Sequence, residues 1–250
     1  MTDWPSRRVW LIGASTGIGR ATAELLHSKG AKVIVSARSV ETLNTLAAQC
    51  KGLQTIALDA TNEDAVKAAA AQLLAAGPLD LVMYCAGTYS AVRAQDMKTT
   101  DIAHHMQVNY IGAVYSIAAV LPSMLAAGNG HISLISSVAG FRGLPKSLAY
   151  GPTKAALINL AETLYIDLHD GGIGISLINP GFVQTTLTAQ NTFTMPALIS
   201  PAQAAIDIVA GWERGKFEIH FPKRFTRWMK LLRIVPYSWY FKATRRFTGL

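Results

Sequence analysis

The sequence predicts an α/β protein in which a doubly wound parallel sheet carries helices on both faces and ends in a basic amphipathic extension. Three observations point there. Short apolar runs alternate with longer stretches of helical period. A glycine-rich turn follows the first run. Every acidic residue lies before residue 222, so the eight Lys and Arg beyond it supply the whole net charge of +8. The chain has 250 residues, 50% hydrophobic and 15% charged, which is enough apolar material for one sizeable core and sets it apart from disordered sequences.

In chain order, the runs at 9–12, 32–36, 53–58, 79–84, 131–136 and 173–178 read as buried strands. Between them, 17–28, 40–48, 62–76, 100–127 and 150–169 have the length and Ala/Leu content of crossover helices. Ser200 followed by Pro201 opens a further helix, and 216–221 makes a last strand. No repeat of fixed period and no low-complexity linker interrupts this pattern. Residues 1–221 therefore read as one domain and 222–250 as its extension. Two cysteines, Cys50 and Cys85, cannot build a disulfide framework, and residues 1–8 lack the apolar stretch of a secretory signal. No run of about 18 uninterrupted apolar residues suits a membrane-spanning helix. The expectation is a reducing, cytoplasmic setting.

The first strand runs into Gly13, Ala14, Ser15, Thr16, Gly17, Ile18 and Gly19, and then into a helix. Glycines let a backbone bend and approach a pyrophosphate, while the following helix start offers free N–H groups and partial positive charge. A plain tight turn is the alternative. The place of the cluster, at the first strand-to-helix junction of an alternating chain, favours a dinucleotide. An NAD site usually has an acid at the end of the second strand for the adenosine ribose. Here that end reads Ser36, Ala37, Arg38, Ser39, with no acid before Glu41. A carboxylate would repel a 2'-phosphate, whereas a guanidinium grips one, so Arg38 favours NADP(H) over NAD(H).

Tyr150 and Lys154 are four residues apart at the start of a predicted helix, so their side chains share a face. An ammonium beside a phenol favours the phenolate and should lower the tyrosine pKa toward working pH. Ser137 ends a predicted strand thirteen residues before Tyr150, and Asn109 lies in the helix before that strand. Four such polar groups behind a glycine-rich turn form a specific pattern. Cys85 has no nearby base or cation in sequence and reads as a small buried residue. His104, His105 and His131 make no metal-ligand pattern with any cysteine, so no metal is expected.

From about Arg7 to Phe221 the sequence resembles the short-chain dehydrogenase/reductase family, single-domain enzymes on a Rossmann fold. The glycine motif, Cys85-Ala86-Gly87, Asn109, Ser137, Tyr150, Lys154 and Asn179-Pro180-Gly181 with Thr185 fall in the family's order. The resemblance implies that Tyr150 is the general acid, while Lys154 lowers its pKa and binds the nicotinamide ribose. It implies that Ser137 bonds the substrate carbonyl, with Ser136 as the other serine in reach, and that Asn109 holds a water of a proton relay. It places Asp59 at the adenine, Ala86 and Gly87 along the cofactor, and Pro180, Gly181, Val183 and Thr185 beside the nicotinamide. Two motifs depart from the family: Ile12 stands where threonine is usual, and Tyr84-Cys85 replaces two asparagines. The family's habit of pairing helices between subunits implies a homodimer or homotetramer, built on the apolar helices around Asn109 and after Tyr150.

Between Thr186 and Ser200, where the family places a lid, Leu187, Phe193, Met195, Leu198 and Ile199 suggest a lipophilic carbonyl or alcohol substrate. A 3-oxoacyl thioester, or a steroid or lipid carbonyl, fits this reading. A nucleotide-binding or membrane-associated regulatory protein with the same fold and little turnover is the alternative from another class. In the tail, Phe225, Trp228, Met229, Leu232 and Val235 recur at helical spacing opposite Lys223, Arg224, Arg227, Lys230 and Arg233. Pro236 should stop that helix before an aromatic segment that contains Tyr237, Trp239, Tyr240 and Phe241. Such a segment suits peripheral contact with an anionic membrane face. A cover over the pocket or a subunit interface stands beside that reading, whereas a nucleic-acid arm is not expected, because the body carries no net charge.

Overall fold

The computed structural model describes residues 2–191 and 193–248. Within them the strands β1 (Arg8–Ile12), β2 (Lys32–Ala37), β3 (Gln54–Ala57), β4 (Leu81–Tyr84), β5 (Gly130–Ile135), β6 (Ile173–Pro180) and β7 (Glu218–Phe221) form one sheet. Its order is β3-β2-β1-β4-β5-β6-β7, and each neighbouring pair is parallel. The order reverses between β1 and β4, which opens a crevice beyond the carboxyl ends of the central strands.

Side-chain alternation along the strands builds two cores. Val9 and Leu11 of β1 face α1 (Gly17–Ser28), α2 (Val40–Gln49) and α7 (Pro201–Glu213). Trp10 and Ile12 face α3 (Glu63–Ala75), α5 (Gly112–Ala127) and α6 (Tyr150–Leu168). Burial on both faces is why these strands read as continuous apolar runs rather than alternating ones.

The helix expected over 100–127 is broken in an instructive way. It consists of α4 (Thr99–Met106), a π turn at Gln107–Ile111, and α5. Together Thr99–Ala127 is a 29-residue helix long and apolar enough, by length and composition, to cross a membrane. It is not an uninterrupted apolar run, because Asn109, Gly112, Ser116 and Pro122 lie within it. In this fold it packs against α3 and the sheet, and Val108 of its π turn borders the crevice. The tail also differs from expectation. The first tail helix, α8 (Lys223–Leu231), ends before Pro236, and the aromatic segment beyond is itself a helix, α9 (Tyr237–Thr248).

Candidate active site

A cavity of about 1040 Å³ follows the carboxyl edge of the sheet, from the glycine turn to the loops before α6 and α7. That is the size range of a ligand cleft. Gly13, Ser15, Thr16, Gly17, Ile18, Gly19, Arg38, Asp59, Ala86, Gly87, Ser137, Tyr150, Lys154, Pro180, Gly181, Val183 and Thr185 all line it. Asn109 does not.

The turn is shaped for close approach. Gly13 has φ +80°, and a Cβ there would fall 2.3 Å from the Ala86 backbone. Gly17 has φ +55°, with Thr185 Cγ2 3.1 Å from where its Cβ would be. Beneath the turn, Cys85 Sγ lies 2.6 Å from the place of a Cβ on Gly19 and donates to the Ile12 carbonyl at 3.0 Å. Burial pushes the Cys85 thiol up to about 12, so it packs as an inert group. Ser39, Asn62 and Ser200 cap the starts of α2, α3 and α7 with their side chains, but Thr16 makes no such bond at α1. The N–H groups of α1's first turn are therefore left for water or an anion, as a pyrophosphate site requires.

At the far end of that half, Arg38 lines the wall after β2. Asp59 accepts from Thr61 N at 2.9 Å and Thr61 Oγ1 at 2.8 Å. Those bonds, with a smaller contribution from the Arg38 charge, hold its carboxyl below the usual range.

The chemistry-bearing groups meet where β5 ends and α6 begins. Ser137 hydrogen-bonds the Tyr150 phenol and also accepts from Ala139 N at 3.1 Å. Ser136, the other serine in reach, also lines the cleft but donates its hydroxyl to the Lys154 carbonyl at 2.7 Å, fastening α6 to β5. Lys154 Nζ lies 5.4 Å from the Tyr150 ring centroid and donates to the Ile135 carbonyl at 2.9 Å.

The phenol pKa runs against the sequence expectation. Burial pushes Tyr150 up to about 12, and the Ser137 bond offsets this only in part. Lys154 is buried too, and desolvation drives its own pKa down to about 8.

Asn109 is fully buried and its amide is committed. Its Oδ1 accepts from Thr88 N at 2.7 Å, and its Nδ2 donates to Thr88 O and Thr153 Oγ1, both at 3.0 Å. The side chain thus ties the loop after β4 to α6. Tyr84, one of the departures from the family, donates to the Val108 carbonyl at 2.5 Å and so clamps the π turn that carries Asn109. His105 completes this frame, with Nε2 accepting from Ser90 N at 3.0 Å and Nδ1 donating to the Asp101 carbonyl of its own helix at 2.7 Å. His131 lies elsewhere, bonded to Ser176, and burial lowers it to about 4.

Sequence reasoning missed several residues here. Tyr89 stands edge-on to Tyr150 with centroids 5.1 Å apart, and its hydroxyl donates to Asn191 Oδ1 at 3.2 Å. Ser147 lines the wall with a buried hydroxyl that has no hydrogen-bond partner among the described residues. The tail reaches the same end. Phe225 lies tilted against Phe182, with ring centroids 5.6 Å apart, and occupies the space a Cβ on Gly181 would need. Arg142 donates to the Leu232 and Val235 carbonyls and lies 4.2 Å from the Tyr240 ring centroid. Neither aromatic spacing nor charge counting signals contacts this distant in sequence.

A parallel sheet with a glycine-lined cleft at its switch point, and a serine, tyrosine and lysine converging inside it, defines the class of dinucleotide-dependent oxidoreductases. The family model for short chain dehydrogenases matches residues 7–195, and the chain belongs to that family. An uncharacterized oxidoreductase of Myxococcus xanthus (strain DK1622) is 34% identical over 251 residues, covering 98% of this chain and 99% of its own. A solved short-chain dehydrogenase from Streptomyces avermitilis superposes with a TM-score of 0.83 at 28% identity, over 90% of this chain and 92% of that one. ElxO, solved with NADP bound, gives a TM-score of 0.76 at 25% identity, over 86% and 97%. The protein is thus an NAD(P)-dependent oxidoreductase of the short-chain type.

Proposed function

We propose that this protein is an NADPH-dependent reductase of lipophilic ketones or aldehydes, and in reverse a dehydrogenase of the corresponding alcohols. The observation that carries the reading is the meeting of Ser137, Tyr150 and Lys154 in the cleft whose other end is the uncapped start of α1. Bound in that cleft, a nicotinamide dinucleotide supplies the hydride that reaches the carbonyl carbon. Tyr150 gives its proton to the carbonyl oxygen, and a phenol pushed up to about 12 is held in the protonated form a general acid needs at neutral pH. Ser137 hydrogen-bonds that oxygen as charge builds on it. Lys154 places a cation against the phenol and would hold the nicotinamide ribose.

The residues of the turn fit a pyrophosphate, with Ser15, Thr16 and Ile18 around the free N–H groups of α1, and Gly19 leaving room at its base. Asp59, Ala86, Gly87, Pro180, Val183 and Thr185 would hold the rest of the dinucleotide. Arg38 lines the cleft wall after β2, where no acid precedes Glu41, and a guanidinium there supports NADP(H) over NAD(H) because it can grip a 2'-phosphate. ElxO, with NADP bound, is a structural neighbour consistent with that preference. Asn109 acts here as a positioning residue whose amide keeps the loop after β4 against α6. Leu187, Phe193 and Phe182 make the substrate end apolar. Exposed Leu125, Tyr165 and Ile166 on α5 and α6 support association into a homodimer or homotetramer.

The test is a carbonyl panel graded in chain length and bulk, followed by loss of NADPH absorbance and repeated with NADH. Turnover of bulky apolar carbonyls with NADPH is expected. Dinucleotide binding without turnover of any carbonyl would favour a regulatory role, and a preference for NADH would overturn the cofactor assignment.

A further inference from the structure

We propose that α8 and α9 form a docking face for an anionic phospholipid surface, which holds the mouth of the cleft against the lipid. The docking rests on the tail alone, while the delivery of substrate from that surface rests on the reductase reading above.

The inner side of the tail is already used. Phe225 and Met229 pack on the core, Tyr240 is buried with its hydroxyl donating to the Gly143 carbonyl at 2.5 Å, and Lys230 pairs with Glu218. These contacts fix which side faces outward. On that outer side Trp228, Ile234 and Trp239 are each at least 70% exposed, and Leu231 and Phe241 are exposed with them. Trp228 therefore leaves the apolar stripe that the sequence assigns it to and turns to solvent. Arg224 and Trp228, and likewise Arg227 and Leu231, stand four apart on α8, so cations and apolar groups share one face. Trp239, Lys242 and Arg246 follow the same logic on α9.

Charge complementarity selects the occupant. Residues 222–250 contain eight Lys and Arg and no acid, while the rest of the chain is balanced. Tryptophan with Lys and Arg suits the headgroup zone, where each nearby cation contributes about 1 kcal/mol. Exposed Leu231 and Ile234 gain from an acyl boundary and gain nothing from a phosphodiester backbone, so lipid fits better than nucleic acid. Position selects the consequence. Phe182, against which Phe225 packs, lines the cleft, and so do residues 144–147, next to the Arg142 and Gly143 that α9 holds. A membrane under the tail therefore lies beside the entrance for an apolar carbonyl.

The experiment is co-sedimentation of the full chain with phosphatidylcholine vesicles, with and without phosphatidylglycerol, across a salt series. Binding should require phosphatidylglycerol and fade as salt rises, because headgroup attraction is screened within about 10 Å at 0.1 M. Tryptophan emission should shift to the blue on binding. Arg224→Glu combined with Arg227→Glu should weaken binding by roughly tenfold or more, with turnover of a small water-soluble carbonyl unchanged as proof of folding. Equal binding to both vesicle types, binding insensitive to that charge reversal, or retention on duplex DNA but not on vesicles would overturn the docking. If docking holds but anionic vesicles do not lower KM for a vesicle-dissolved long-chain carbonyl, the delivery fails alone. Absence of turnover in every assay would instead count against the reductase reading and leave the vesicle result standing.

Discussion

The cleft and the tail are built from similar residues, aromatics beside cations, yet they treat them in opposite ways. In the cleft Lys154 is buried and bonded to the Ile135 carbonyl, and Asn109 has both amide atoms engaged. On the tail's outer side Arg224, Arg227, Trp228 and Trp239 stand in solvent. The difference follows from dielectric surroundings. Removal from water shifts Lys154 to about 8 and makes its charge conditional, whereas the tail's guanidinium groups stay solvated. Reaction geometry needs the first condition and a broad, undemanding surface needs the second.

The largest expected effect tests the cleft. Tyr150→Phe removes the transferable proton and should lower kcat by about 10²–10⁴-fold while dinucleotide affinity stays nearly intact. Turnover at the original rate would reject the acid assignment. Next, kcat/KM for carbonyl reduction should fall as pH rises through about 8, because Lys154 is cationic below its pKa and neutral above it. A profile flat well beyond that point would mean that the lysine charge is not used, which would erase the contrast with the tail. Arg38→Ala should weaken NADPH by roughly tenfold or more, from the loss of a charge-assisted contact of about 1.5–3 kcal/mol, and leave NADH almost unchanged. Equal losses for both cofactors would show Arg38 to be structural.

The smallest effect concerns the seam between the two regions. Tyr240→Phe removes the bond to the Gly143 carbonyl and should cost about 0.5–1.5 kcal/mol in thermal unfolding. An unchanged unfolding midpoint would indicate that α9 is not fastened to the loop before α6.

The sheet was legible because strands buried on both faces write themselves as apolar runs, and the glycine turn was legible because backbone approach leaves few residue choices. Ser137, Tyr150 and Lys154 were legible because β5 and α6 carry them at fixed offsets. What could not be read were long-range contacts and local dielectric. No pattern around Tyr150 signals that burial outweighs the neighbouring lysine. Nothing near Gly143 signals that Tyr240 lies on it, 97 residues away in sequence. The π turn is hidden for a related reason: it keeps helical composition and changes only the backbone register, where Tyr84 holds it from a strand. The two halves of the tail also look alike in sequence, and only packing tells Phe225, turned inward, from Trp228, turned outward.

The uncapped start of α1 has a consequence for folding equilibrium. A helix whose first N–H groups lack a side-chain cap forgoes about 1 kcal/mol that a good cap contributes. An anion seated there restores that stabilisation only while it is bound. The native state is then completed by its ligand, and the dinucleotide concentration in the surroundings becomes a determinant of how much of the chain is folded. At a free ligand concentration one hundred times Kd the gain is about 2.7 kcal/mol, a shift in the folded-to-unfolded ratio of about a hundredfold.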